Sequence, residues 1–366
     1  LLYAPPAEFL DTLGKLQELW QRDPAELRRL ARAEARPARG PGPARVDAAR
    51  ARAYAKEVIE AARNQADTIH GGFGDQSKFP SVPILEFLLA QQAAAPAPAL
   101  EELLTRTLDA MANQGLHDHI GGGFFRYTVD PGWKTPHFEK MLYDNALLAR
   151  LYLRAAEVLH RPAYAAVARE TLDFTSGAMR DASGGFIASL SALDAQGVEG
   201  GYYLWDDDAL AAVLDTPERG VFRRAYGMTD AAPFEAGYLP IPANDSLAPD
   251  VRATVEQARA KLKAARTARE LPRDTKRLAG WNGLALSAYA EAARHFGNDA
   301  YRATAAGIRD YVLRELWDGK RLRRAVENGR AVGAAALEDY AYVAEGLLAG
   351  ARVTGNPADS HRARDV

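Results

Sequence analysis

The chain has 366 residues, a formal net charge of -2, 48% apolar and 26% charged residues, and no cysteine. That is enough chain for one large domain or two smaller ones, and its balanced charge offers no footprint for nucleic acid or an anionic membrane. Without cysteine there are no disulfides, zinc-thiolate sites or cysteine nucleophiles; a reducing compartment is favoured, and a cytoplasmic protein is expected.

In chain order, the opening Leu1-Leu2-Tyr3-Ala4-Pro5-Pro6 lacks the basic and long apolar regions of a signal peptide and reads like the middle of a longer chain. No apolar run nears the roughly 20 residues of a membrane span. Residues 7–35 carry helical periodicity in Phe9, Leu10, Leu13, Leu16 and Trp20, then Leu27, Leu30 and Ala31, interrupted by the start signal Asp23-Pro24. Residues 36–45 are a Pro/Gly linker with no means of packing. Residues 1–45 are therefore expected to be the tail of a preceding domain plus linker, and 46–366 a second domain.

Helices are expected near 46–65, 83–94, 99–114, 137–159, 162–180, 205–226, 249–269, 281–296, 299–316 and 336–354. The loops between them fall into two sets. Arg161-Pro162 and Gly297-Asn298 are short, whereas 67–82, 115–135, 181–204 and 227–248 are long and rich in Gly and aromatics. Short turns at one end and decorated loops at the other predict an all-α ring of helix hairpins with its long loops lining one mouth. No strict sequence repeat is evident.

The stretch Met111 to Asn145 concentrates the chemistry, with His117, His119, His137, a glycine triplet, Arg126, Trp133, Asp118, Asp130, Glu139 and Asp144. His117 and His119 are two apart and project to the same side of an extended segment, with Asp118 facing away. They could pair on a metal, but no third ligand stands at matching spacing, so neither metal nor cofactor is expected. Gly121-Gly122-Gly123 is not a phosphate loop; it makes a tight turn or admits a ligand to the backbone. Phe124 to Val129 alternates like a short strand, and Arg126 has Asp118 or Asp130 as the bland partner.

Thr135-Pro136 reads as a helix start, which puts His137 and Glu139 in a first turn where the dipole lowers the imidazole pKa and suits a general base. Lys140 and Asp144 are expected to pair on an exposed face. Further polar and aromatic groups sit in the other clusters: Lys78, Tyr143-Asp144-Asn145, Asp194, Glu199, Trp281-Asn282 and Asp339. Rings that stack on sugar faces and polar groups that bind hydroxyls are the usual lining of a carbohydrate site. Core packing explains any one of these aromatics taken alone; the argument rests on several clusters, each opening or preceding a helix.

Gly71-Gly-Phe-Gly with Lys78-Phe-Pro80, Asp118-His119-Ile-Gly-Gly-Gly-Phe-Phe-Arg-Tyr127, Pro136-His-Phe-Glu-Lys-Met-Leu-Tyr-Asp-Asn-Ala146, Trp281-Asn-Gly-Leu284 and Glu338-Asp-Tyr-Ala341 resemble the YyaL-type thioredoxin-domain-containing proteins, the spermatogenesis-associated protein 20-like family. That resemblance implies an (α/α)6 toroid akin to N-acylglucosamine 2-epimerases and six-hairpin glycosidases, with short β-hairpins in its loops. It also implies a thioredoxin-like domain ahead of the toroid, absent from this chain, which is a candidate partner. About ten toroid helices would leave the ring incomplete.

Three functions are carried forward. A sugar epimerase or isomerase would use His119, His137 and Arg126, with Glu139, as its acid/base and charge-stabilising set. A glycoside hydrolase would use a carboxylate pair drawn from Asp118, Glu139, Asp194, Glu199 and Asp339. A non-catalytic sugar- or protein-binding toroid would serve a redox domain. Lys78, Asp118, Trp133, Tyr143, Asp144, Asn145, Asp194, Glu199, Trp281, Asn282 and Asp339 are the expected substrate contacts. A small sugar or glycan is the expected ligand.

Overall fold

The computed structural model describes residues 6–34, 47–243, 247–355 and 357–366. They fall into two compact units, Leu1–Val58 and Ile59–Val366. The first holds α1 (Pro6–Arg22), α2 (Pro24–Glu34) and the start of α3 (Ala48–Gln65). Asp23 caps α2, its carboxylate accepting from the backbone N–H of Ala25 and Glu26. The linker expected at 36–45 and the opening residues 1–5 lie outside the described residues.

The second unit is built on helix hairpins. Its helices are α4 (Val82–Ala94), α5 (Pro98–Asn113), α6 (Leu142–Val158), α7 (Pro162–Ala178), α8 (Asp207–Val213), α9 (Thr216–Ala225), α10 (Pro249–Arg266), α11 (Ala279–Phe296), α12 (Asp299–Tyr311), α13 (Leu337–Thr354) and α14 (Pro357–Asp365). α4, α6, α11 and α13 stand side by side in that order as an inner row, and each packs on the helix that follows it, α5, α7, α12 and α14. The sequence encodes the two rows differently. α11 buries Ala, Gly, Leu, Ser and Tyr on nearly every face, whereas outer α5 buries Leu100, Leu104, Leu108 and Met111 along one stripe. Each such leucine contributes about 1.5–3 kcal/mol on leaving water. α8, α9 and α10 form a separate apolar cluster around Leu210, Phe222, Val255 and Leu262.

An aspartate turn recurs after each outer segment. Backbone bridges join Ala66 to Phe73, His117 to Phe124, Arg180 to Phe186 and Trp317 to Leu322. The next residue is Asp67, Asp118, Asp181 or Asp318, and each folds its loop by accepting backbone N–H groups two or three residues on. Each also holds a cation carried on the approach to the next inner helix: Lys78, Lys140, Arg277 and Arg323.

Asn145 and Asn282, each fourth in its inner helix, repeat a second device. The Asn145 side chain accepts from the N–H of Phe124 and donates to the carbonyls of Phe124 and Met141. Asn282 does the same with Phe186 and Leu278. Seven residues on, Tyr152 and Tyr289 donate to carbonyls of the preceding outer helix, at Leu108 and Leu172. The architecture is thus a repeat held by similar polar staples, although no strict sequence repeat marks it.

Short strands lead into the inner helices. β1 (Tyr127–Thr128) pairs with β2 (Pro136–His137); β3 (Lys140–Met141), β4 (Ser189–Leu190) and β5 (Arg273–Asp274) form one sheet; β6 (Arg277–Leu278), β7 (Arg323–Glu327) and β8 (Arg330–Ala334) form another. All pairs are antiparallel. The helix expected at 137–159 therefore begins only at Leu142, because Pro136–His137 pair with Tyr127–Thr128 and Lys140–Met141 with Ser189–Leu190. The helix expected at 205–226 is two, divided at Leu214-Asp215, where Asp215 makes a capping box with Glu218. The one expected at 299–316 ends in a π-helical turn, Val312–Leu316.

Candidate active site

The β3–β4–β5 sheet divides the neighbourhood of the Met111 to Asn145 stretch into two faces. Lys140, Leu190 and Arg273 are in register across it, as are Met141, Ser189 and Asp274. Alternation sends these rows to opposite sides. One side is an open cleft lined by His137, Glu139, Ser189, Ser191 and Asp274, with Arg273 at its edge. The other is a cavity of about 300 Å³ over Asp118, Lys140 and Arg266.

Beside the cleft six functional side chains form two hydrogen-bonded groups, His137 with Glu199 and Glu139 with Arg126, Tyr143 and Asp144, which approach each other at 3.9 Å. His137 Nδ1 lies 2.8 Å from Glu199 Oε1, and its Nε2 is 3.9 Å from Glu139 Oε2. Arg126 donates to Glu139 at 3.0 Å and also bonds Tyr143, which in turn bonds Asp144. The Tyr127 ring stacks on His137 at 5.2 Å, and Trp281 lies against Tyr143 at 4.9 Å. Tyr143, Asp144 and Trp281 sit in the first turns of inner helices, so the helical row itself fixes them at the mouth.

Asp144 stands apart electrostatically. It is 8% exposed, and its Oδ2 has no hydrogen-bond partner. Burial pushes its carboxyl up to about 7, against the pull of Arg126 and the Tyr143 hydrogen bond. It can therefore carry a proton near neutrality. A Glu199 carboxylate at His137 Nδ1 favours the tautomer with the proton on that nitrogen, leaving Nε2 as the basic one.

His137 lies in β2 rather than in the expected helical turn, so no helix dipole acts on its ring, and Glu199 holds its orientation. Lys140 and Asp144 do not pair. Lys140 is buried on Asp118 at 2.7 Å, and Asp144 is buried beside Tyr143 and Arg126. Arg126 pairs with Glu139 instead of Asp118 or Asp130.

His119 belongs elsewhere. Its Nε2 is 3.0 Å from the Gln114 carbonyl, its ring meets His117 edge-on at 5.0 Å, and Arg259 of α10 donates to its backbone carbonyl. Burial, and next the neighbouring His117, pull its pKa down to about 3. It stays neutral and lines neither opening.

Several expected substrate contacts are occupied by the protein itself. Lys78 is fully buried on Asp67 and the Gly74 carbonyl. Asn145 and Asn282 are the backbone staples described above. Trp133 is fully buried and donates to the His70 carbonyl. Asp339 accepts from Gly280 and Ala336 N–H and pairs with Arg324. Asp194 folds its own loop, accepting from Gln196 and Val198. Asp118 is saturated by Lys140, by a two-point contact with Arg266, and by the N–H groups of Ile120 and Gly121.

The glycine triplet admits protein side chains. A Cβ on Gly121 would stand 2.0 Å from the Arg266 guanidinium, and one on Gly123 would stand 2.8 Å from Asn145 Oδ1. Sequence reasoning missed Arg266, Tyr203 and Arg273, which lie far from the histidine-rich stretch. The one readable signal was the recurring Asp that precedes Gly-Gly-Phe at Asp67, Asp118 and Asp181.

No protein-family profile matches the chain. It is 32% identical over 333 residues to human spermatogenesis-associated protein 20, a match that takes in 77% of this chain and 42% of the relative. The chain belongs to the spermatogenesis-associated protein 20 family. It spans less than half the length of the curated relatives it matches. Among solved structures it is similar to a family 76 α-mannanase of Bacteroides thetaiotaomicron, with a TM-score of 0.53, 11% identity, and coverage of 86% of this chain and 68% of that one. A second family 76 glycoside hydrolase, from a bovine strain of the same species, gives a TM-score of 0.52 at 12% identity, covering 86% of this chain and 53% of that one. At such identities the likeness is one of fold: the hairpins of this family member are those of an α/α toroid. Among the described residues, no helix is long and apolar enough to cross a membrane.

Proposed function

We propose that the mouth of this toroid is a carbohydrate site at which Asp144 gives a proton and His137 takes one, and that the reaction it suits is epimerisation or isomerisation of a reducing sugar. Asp144 carries the proposal: a buried carboxyl with one unpartnered oxygen, protonated near neutrality, set beside Arg126 and two rings. Moving a hydrogen next to an open-chain carbonyl needs an acid, a base and a cation for the enediolate oxygen. Asp144, His137 and Arg126 supply that set, with Asp144 in the place first assigned to His119. Glu139 and Glu199 orient the guanidinium and the imidazole, and Tyr143 and Trp281 offer ring faces to the sugar. The toroid neighbours being glycoside hydrolases supports the sugar.

Asp144 also favours a second reading. A protonated carboxyl with carboxylates nearby is the acid half of a glycosidase. The two separate on assay of His137→Ala and Glu139→Gln. Isomerisation should fall at least a hundredfold in His137→Ala, the usual scale of a lost general base, whereas a hydrolase would lose glycosidic release. Activity of neither kind in the unsubstituted chain, or no effect of either change, leaves the non-catalytic binding toroid.

A thioredoxin-like neighbour ahead of the toroid is also proposed, supported by the greater length of the relatives and the exposed Phe9, Leu10, Leu13, Leu16 and Trp20 on α1. A longer chain carrying that neighbour should slow amide exchange in α1. Equal exchange in both chains would count against it.

A further inference from the structure

The cavity on the other face of the β3–β4–β5 sheet has a composition the mouth chemistry does not use. Its floor is the buried Asp118, shared by the Lys140 ammonium at 2.7 Å and the Arg266 guanidinium at 2.8 Å, so two cations meet one carboxylate. Asp118 has no lone pair left to offer, and the surplus positive charge stays in the cavity. Lys263 and Arg273 at the rim are exposed and add to it, and the Asp173 carboxylate in the lining offsets one of these charges. One wall is aromatic, with Phe174 and Tyr203 against Lys140 at 4.2 and 5.0 Å from ring centroid to ammonium. Arg269 fixes that wall by donating to the carbonyls of Gly201, Tyr202 and Leu204.

A second observation is independent of the charges. The Tyr203 side chain lines this cavity and is 1% exposed, yet its hydroxyl has no hydrogen-bond partner. A buried hydroxyl left unpaired destabilises the fold, so such groups are uncommon unless something binds them. Tyr203 and the two cations line the same space of about 300 Å³, and the hydroxyl is buried at its wall. That is the small end of ligand-site volumes.

We propose that this cavity is a second ligand site, separate from the mouth, for a small organic anion: a phosphate or carboxylate on a ring-sized body, its charge taken by Arg266, Lys140 and the Tyr203 hydroxyl and its body by the aromatic wall. It does not rest on the sugar chemistry of the mouth.

The test is calorimetric titration of the 366-residue chain at low salt with glucose 6-phosphate, glucuronate, glucose and inorganic phosphate. The phosphate ester, the carboxylate or both should bind more tightly than glucose and inorganic phosphate, and binding should weaken as salt rises. Tyr203→Phe removes only the unpaired hydroxyl, so its unliganded melting temperature should equal or exceed that of the unsubstituted chain, while the anion binds roughly tenfold more weakly. Arg126→Gln, at the mouth, should bind the anion as before. Failure of both organic anions to bind, inorganic phosphate binding as tightly as they do, unchanged affinity in Tyr203→Phe, or loss of binding in Arg126→Gln would each overturn the site. Sugar turnover lost with anion binding kept would count against the mouth alone.

Discussion

Asp144 couples function to stability in a way that fixes a sign. Its folded carboxyl is raised to about 7 from the ordinary value of 3.8, so between those values the folded chain holds a proton that the unfolded chain has released. The stabilisation is complete below the unfolded value and is lost as pH rises through the folded one. Stability should therefore fall from about pH 4 to pH 7 on this account, by up to about 4 kcal/mol. Asp144→Asn should remove that fall and melt higher than the unsubstituted chain at pH 8, with little gain at pH 4. Thermal unfolding across that range checks it, and an equal effect at both pH values would contradict it. The sequence flagged Asp144 as one of a crowd in Tyr143-Asp144-Asn145 but gave no reason to prefer it. Which member of that turn is an unpaired acid and which a backbone staple depends on Phe124 and Arg126, roughly 20 residues away in the chain.

At the level of elements, local pattern and long-range pairing disagree at one place, and that place is the site. Residues 137–141 share the helical stripe of Phe138, Met141 and Leu142, yet His137 pairs with Tyr127 in β1, and Lys140–Met141 is a strand because Ser189–Leu190 and Arg273–Asp274 complete its sheet. Periodicity sees only neighbours in sequence, so it placed the inner and outer helices well and misassigned this approach. The staples yield a test of the repeat. Asn282→Leu keeps the branched four-atom shape of the side chain and strands the backbone N–H and carbonyl of Phe186 and the carbonyl of Leu278. At about 1–3 kcal/mol for each buried group left unpaired, a loss of at least 3 kcal/mol is expected in urea unfolding. A loss below 1 kcal/mol would mean that the loop is held by packing. β7 and β8 went unpredicted although Asn328-Gly329 signals a hairpin turn, both residues at positive φ.

For the whole molecule, the inner row of helices places the first turns of α6 and α11 at one mouth, and the loops add His137, Glu139, Glu199 and Arg126 to them. The sequence foresaw loops converging on a helical ring; it could not foresee that the sheet would part the candidates, leaving His137, Arg126 and Glu139 on one side and Asp118, Lys140 and Arg266 on the other. The central claim is that a hydrogen next to a sugar carbonyl exchanges at this mouth. Incubating the chain in deuterated water with mannose, glucose, N-acetylmannosamine and cellobiose, and following the C2 proton by NMR, tests it directly. At least one sugar should lose that proton signal, faster below pH 7 than above it, and not at all in Asp144→Asn or His137→Ala. Retention of the C2 proton in every sugar, or exchange that survives both substitutions, would contradict it.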